Sequence, residues 1–84
     1  MRLLNDKMAI QEFITSFAGQ FEETDPNEFQ ANTQFRDFDE WDSFLALSIM
    51  AMIKSEYDVA VTAQEMRDAQ TIQDLFDIVN LHLQ

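Results

Sequence analysis

The chain has 84 residues and a formal net charge of −11, from five Lys and Arg against sixteen Asp and Glu. This length suffices for one domain with one small core, and the acidic surface disfavours nucleic acid and anionic membranes while favouring basic partner surfaces. The lack of cysteine excludes disulfides, thiolate metal sites and thiol catalysis, and no stretch approaches the roughly 18 apolar residues of a membrane span. We therefore expect a monomeric, cytoplasmic protein with one domain, residues 1–84, and no membrane insertion.

The first predicted element is an amphipathic helix over about residues 5 to 21. Asn5 or Asp6 can cap its start, and Gly19 lies near its end. Its apolar residues recur at spacings of 3, 1, 3 and 4, which places them on one face of a helix: Ile10, Phe13, Ile14, Phe17 and Phe21.

A long acidic loop follows over residues 22 to 42, which have no sustained hydrophobic period and hold eight of the sixteen acids. A connection of about 20 residues is unusually long for a compact domain, and long loops that persist are often functional. We predict that its aromatic residues hold it against the core, so that it is not a disordered linker: Phe29, Phe35, Phe38 and Trp41.

Three further helices are predicted after the loop. The run "SFLALSIMAMIKSEY" is apolar on most faces and predicts a buried helix over about 43–57, with Asp42 or Ser43 as its N-cap. Capping boxes beginning at Thr62 and Thr71 predict a short helix over 62–69 and a last helix over 71–83. The sequence thus predicts an all-α four-helix bundle with three main helices, one short helix and a long first loop.

Two kinds of chemistry can be excluded from the residues. The segment "DFDEWDSFLALS" begins like a calcium-binding loop, but Trp41, Asp42 and Ser48 stand where a ligand, a turn glycine and a bidentate Glu are required. Serine hydrolysis needs a base close to the nucleophile, and the one histidine, His82, lies among apolar residues near the end of the last helix. We predict no catalytic residue and no metal site.

The residues around Ser43 resemble those of a known family. "DSF" at 42–44, at the start of a long apolar helix after an acidic loop, resembles the Asp-Ser-Leu motif of acyl carrier proteins. The resemblance covers about residues 5 to 83 and includes the order of the helices, Tyr57-Asp58, the "VAV" connection and the "TIQDL" start of the last helix. "TQFRDFDEWDSF" is similar to the segment before the serine in free-standing bacterial carriers with Trp-Asp-Ser.

The resemblance implies a fold, a cofactor and a set of partners. It implies an acyl carrier protein-like bundle in which the Ser43 hydroxyl receives 4'-phosphopantetheine from coenzyme A. The arm ends in a thiol that holds acyl groups as thioesters, which this chain without cysteine cannot form alone. The implied partners are a phosphopantetheinyl transferase, a loading ligase and downstream acyl-processing enzymes, so the protein itself is not an enzyme.

The resemblance also suggests roles for residues around the serine. Expected partner-recognition residues are Asp42, Phe44, Leu45, Ser48 and Ala51. In the family the bundle interior can open to shelter an acyl chain, and the candidates for lining such a cavity are Leu47, Met50, Ile53, Phe76 and Val79.

Departures from the family pattern leave the cargo open. Leu45, Ser48 and Lys54 stand where fatty-acid carriers commonly have acids, which favours a carrier in a specialised pathway, such as one for a polyketide-like chain, over housekeeping fatty-acid synthesis. An aminoacyl carrier of the D-alanyl or peptidyl kind is an alternative. A second alternative is an unmodified acidic interaction module in which Ser43 serves only as a helix cap.

Overall fold

The helices and turns were obtained from a computed structural model, which describes residues 7–84. Helix α1 spans Lys7–Ala18, α2 Ser43–Tyr57, α3 Ala63–Asp68 and α4 Ile72–Leu83. Two single 3₁₀ turns, Pro26–Glu28 and Phe35–Asp37, lie in the loop between α1 and α2. Within residues 7–84 there is no strand, only one isolated antiparallel bridge between Gln34 and Thr71. The predicted all-α bundle with a long first loop is confirmed.

Helix α1 ends three residues before the predicted end at residue 21. The amides of Gln20 and Phe21 donate to the carbonyls of Phe17 and Ala18, three residues back, so the chain leaves the α-helical pattern just after Gly19. Phe21 is nevertheless buried, and its ring stacks on Phe17 with centroids 5.7 Å apart. The predicted start at residue 5, with Asn5 or Asp6 as cap, lies outside the described residues.

The ends of the other helices follow their local sequence. Both predicted capping boxes form, between Thr62 and Glu65 and between Thr71 and Asp74. Because each threonine is a cap that precedes its helix, α3 and α4 begin one residue later than predicted. Helix α2 ends where Asp58 adopts a left-handed conformation with φ 57° and its amide donates to the Lys54 carbonyl.

The core is rich in aromatic residues, and the long loop supplies part of it. Phe17 is fully buried in this core. The centroid of its ring lies 5.2 Å from that of Phe35 and 6.1 Å from that of Phe29, and both of these residues belong to the loop. Phe38 and Trp41 are half-buried against the same cluster. The prediction that aromatic residues hold the loop against the core is confirmed.

The loop also contacts the C-terminal helices through polar groups. The amides of Ile72 and Gln73, at the start of α4, donate to the carbonyls of Thr33 and Ala31. The Arg36 guanidinium donates to backbone carbonyls at the end of α3. These bonds satisfy helix-end groups that would otherwise have no intrahelical partner. None of the helices within residues 7–84 has the length and apolar character needed to cross a bilayer.

Candidate functional site

Ser43 is the first residue of α2, and its side chain is exposed. The cap of this helix is Asp42, whose Oδ1 accepts a hydrogen bond from the Leu45 amide at 2.9 Å. The sequence predicted either Asp42 or Ser43 as the N-cap of α2, and in the structure Asp42 is the cap. The Ser43 hydroxyl therefore stands at the helix N-terminus without being needed as the cap.

The N-terminus of α2, at which Ser43 lies, favours a negatively charged substituent. The first turn of α2 contains no acidic residue, and the first amides of a helix carry a partial positive charge. Phosphate groups are favourable ligands at such an end. A phosphodiester on Ser43 would lie at this end of α2, where the Leu45 amide donates to Asp42 and the amides of Ser43 and Phe44 belong to the same first turn.

The segment that leads into Ser43 is held by the carboxylate of Glu40. The amide of Glu22 donates to Glu40 Oε2 at 2.7 Å, and the amides of Glu23 and Thr24 donate to Oε1 at 3.1 and 3.0 Å. The Thr24 hydroxyl adds a fourth bond to Oε1 at 2.9 Å. These donors, the Glu22 amide first among them, lower the pKa of Glu40 below its ordinary value. The role of Glu40 could not be predicted from the sequence, because nothing local marks a contact across 16 to 18 residues.

Trp41 holds the same segment from its apolar side. Its ring stacks on Phe21, with centroids 6.2 Å apart and planes 25° apart, and lies 4.9 Å from Phe35. Two residues before Ser43, the chain is therefore packed against the aromatic cluster that α1 and the loop share.

The two faces of α2 correct two of the sequence-based assignments. Leu45, expected to face partners, is buried at 5% exposure, whereas Leu47, expected to line a cavity, is 63% exposed. The reason is the helical period: the buried residues of α2 are those that share one face with Leu45, namely Leu45, Ile49, Met52 and Ile53. The opposite face, here called the outer face, consists of Phe44, Leu47, Ser48 and Ala51.

The outer face is mostly apolar and adjoins Ser43. Phe44 is 73% exposed, Ala51 is exposed and Ser48 is half-buried. Together with exposed Asp42, these are the expected partner-recognition residues other than Leu45. Phe44 and Leu47 are large apolar side chains exposed on the same side of α2, and adjacent exposed apolar groups of this kind are typical of an interaction surface.

The remaining cavity candidates lie in or against the core. Ile53, Phe76 and Val79 are buried, and Met50 is half-buried against the same cluster. They belong to one continuous core that also includes the aromatic residues of the loop.

The described part of the chain has an ion pair between α3 and α4 but no cluster of side chains suited to a metal ion. His82 Nε2 lies 3.0 Å from Glu65 Oε2, and this contact links the last turn of α4 to the first turn of α3. The hydrogen bond from the Thr62 amide has the largest effect on the Glu65 carboxyl and lowers its pKa. Burial raises this pKa and the hydrogen bond with His82 lowers it, so that the net shift is downward. Across residues 7–84 there is no group of three or more His, Asp or Glu side chains that could hold a metal ion.

Comparison with known proteins agrees with this geometry. A family model described as "Phosphopantetheine attachment site" matches residues 11–79. The matched range includes Ser43, the whole of α2 and α3, and most of α1 and α4. No curated protein matches the chain.

Proposed function

The chain belongs to the phosphopantetheine attachment site family, and on that premise we propose that it is an acyl carrier protein modified on Ser43. Members of this family are carrier domains, not catalytic ones, and hold 4'-phosphopantetheine covalently on a serine. The observation that carries the assignment to Ser43 is its exposed position at the start of α2, where Asp42 already provides the cap. The first-turn amides would stabilise the phosphodiester charge there.

The other serines of the chain are poorer candidates. The Ser16 hydroxyl donates to Glu56 at 2.8 Å, and Ser48 is half-buried in the middle of α2. Ser55 is exposed but lies in the last turn of α2, where the helix dipole disfavours an anion. Of the four serines, Ser43 alone combines exposure with a helix N-terminus.

We propose that partner enzymes bind the outer face of α2 together with the acidic loop. Phe44 and Leu47 offer apolar contact beside Ser43, while the loop acids attract basic patches on a transferase and on loading and processing enzymes. Electrostatic attraction speeds encounter more than it deepens affinity. This suits a carrier that visits several enzymes and must leave each of them.

The cargo that we propose is an acyl intermediate of a specialised pathway. The support is the nearly neutral α2, in which Glu56 is the one acid. An aminoacyl carrier is the alternative. The two are distinguished by which group a ligase loads onto the modified protein. The modified protein is offered to an acyl-loading ligase with fatty acids and to an aminoacyl-loading ligase with D-alanine, and the mass of the thioester product is measured.

The attachment itself is tested by intact-protein mass spectrometry. The wild type, Ser43→Ala and Ser55→Ala are incubated with coenzyme A, Mg²⁺ and a broad-specificity phosphopantetheinyl transferase. We expect one phosphopantetheine on the wild type and on Ser55→Ala, and none on Ser43→Ala. Modification of Ser43→Ala, or no modification of a folded wild type by several transferases, would refute the assignment; the latter result favours the unmodified interaction module.

A further inference from the structure

The carboxylate of Glu40 joins the two ends of the long loop. Its two oxygens accept four hydrogen bonds from residues 22–24, which follow α1, while Glu40 itself lies three residues before Ser43. Hydrogen bonds from backbone amides to a charged carboxylate are shorter and stronger than neutral ones. The position of the chain just before α2 is therefore tied to the end of α1.

The surroundings of Glu40 make this arrangement unfavourable without its amide donors. The neighbours along the two joined segments include Glu22, Glu23, Asp25 and Asp39, all acidic and exposed. Like charges at close range repel, so a carboxylate serving only as surface charge gains nothing from pointing into this cluster. Three amides and a hydroxyl converging on it indicate a structural task for the ionised group.

The structural role of Glu40 is to fix the path of the backbone that leads into Ser43. Trp41, the next residue, packs on Phe21 and Phe35, and Asp42 then caps α2. Glu40 thus holds the segment before Ser43 through hydrogen bonds, and Trp41 holds it through apolar packing. If the hydrogen bonds of Glu40 are removed, this segment gains alternative conformations in which Asp42 and Ser43 are displaced together.

We propose that Glu40 is a positioning residue for the transfer of phosphopantetheine to Ser43. The inference rests on the proposed function of Ser43. The carboxylate keeps the start of α2 in the one arrangement that a transferase can engage. When that arrangement is only partly populated, the apparent affinity is reduced in proportion to the populated fraction, whereas the chemical step in the bound complex is unchanged. Loss of Glu40 therefore raises KM for the carrier and leaves kcat close to that of the wild type.

Two substitutions at Glu40 separate the bonds from the charge. Glu40→Ala removes all four bonds, and a fall of the competent fraction to about one tenth lowers kcat/KM about ten-fold. Glu40→Gln keeps an oxygen for the bonds to Glu23 and Thr24 but turns an amide NH₂ toward the Glu22 amide. We expect a loss of about three-fold for this variant, because neutral acceptors are about half as strong.

Asp39→Asn is the matched control, because it removes one negative charge from the adjacent exposed residue. Transfer kinetics are measured for the wild type and the three variants at about 0.05 M and about 0.5 M salt, since screening weakens contacts between exposed charges at the higher concentration. Hydrogen exchange of the amides of residues 22–24 and emission of Trp41, the one tryptophan, report the attachment directly. Far-UV circular dichroism confirms that each variant is folded.

We expect KM to rise most for Glu40→Ala, less for Glu40→Gln and least for Asp39→Asn. The rise at Glu40 should persist at high salt and be accompanied by faster hydrogen exchange of the amides of residues 22–24. The proposal is overturned if a folded Glu40→Ala keeps the wild-type kcat/KM, or if its loss equals that of Asp39→Asn and vanishes at high salt. If Glu40→Ala does not fold, the same criteria are applied to Glu40→Gln. A wild type that takes up no phosphopantetheine refutes the proposed function of Ser43 and this inference with it, whereas equal kcat/KM for the wild type and all variants refutes only the inference.

Discussion

Leu45→Ala and Leu47→Ala form a matched pair that tests which face of α2 is buried. Each substitution removes three carbon atoms from the same helix, but Leu45 is 5% exposed and Leu47 is 63% exposed. At about 0.8 kcal/mol for each buried carbon, the transfer free energy lost at Leu45 is about 2.4 kcal/mol. A residual cavity adds to this, so we expect Leu45→Ala to lower the free energy of unfolding by about 2 to 4 kcal/mol. At Leu47 about a third of the transfer value applies, which gives a loss below about 1 kcal/mol.

The free energy of unfolding is measured by urea unfolding and the Tm by thermal unfolding, for the wild type and the two variants, with circular dichroism at the helix band as the signal. For a domain of this size, Leu45→Ala should lower the Tm by roughly 10 to 25 °C, while Leu47→Ala should change it by a few degrees. Leu47→Ala should instead slow phosphopantetheine transfer, because the outer face is proposed to contact the transferase. Equal destabilisation by the two substitutions, or a larger loss from Leu47→Ala, would show that this assignment of the faces of α2 is wrong.

Two further predictions concern helix N-termini. The amides of Gln70 and Thr71 lower the pKa of Asp74 below its ordinary value of 3.8, so the unfolded chain binds a proton at higher pH than the folded one; this stability is present above the unfolded pKa and lost as the pH falls through the lower folded pKa. The Tm measured from pH 7 down to pH 2 should therefore fall more steeply for the wild type than for Asp74→Asn below about pH 4, and parallel curves would contradict this. Ser43→Asp places a negative charge in the first turn of α2, which holds no acid. It should raise stability by about 0.3 to 1 kcal/mol in low salt, and a lower Tm would argue against a favourable anion position at this residue.

The ends of the helices could be predicted from the sequence because their signals are local. A capping box needs only a threonine and an acid three residues later, and both of those predicted, at Thr62 and Thr71, form in the structure. The all-α class follows from the helical period of α1 and α4 and from the single Gly and single Pro. The tripeptide at Ser43 and the segment before it indicated the family in the same way, since each is a contiguous run of residues.

The inward face of α2 could not be predicted, because the helix is apolar on most sides and its hydropathy does not distinguish Leu45 from Leu47. Packing against the other helices and the aromatic loop decides which side is buried. Glu40 is a second case: its partners lie 16 to 18 residues away, and an acid among acids carries no local sign of such bonds. The sequence alone therefore determined the class, the helix order and the candidate serine, which depend on short-range pattern. Only the tertiary structure decided how that serine is presented, because its presentation depends on contacts between segments that the chain order keeps apart.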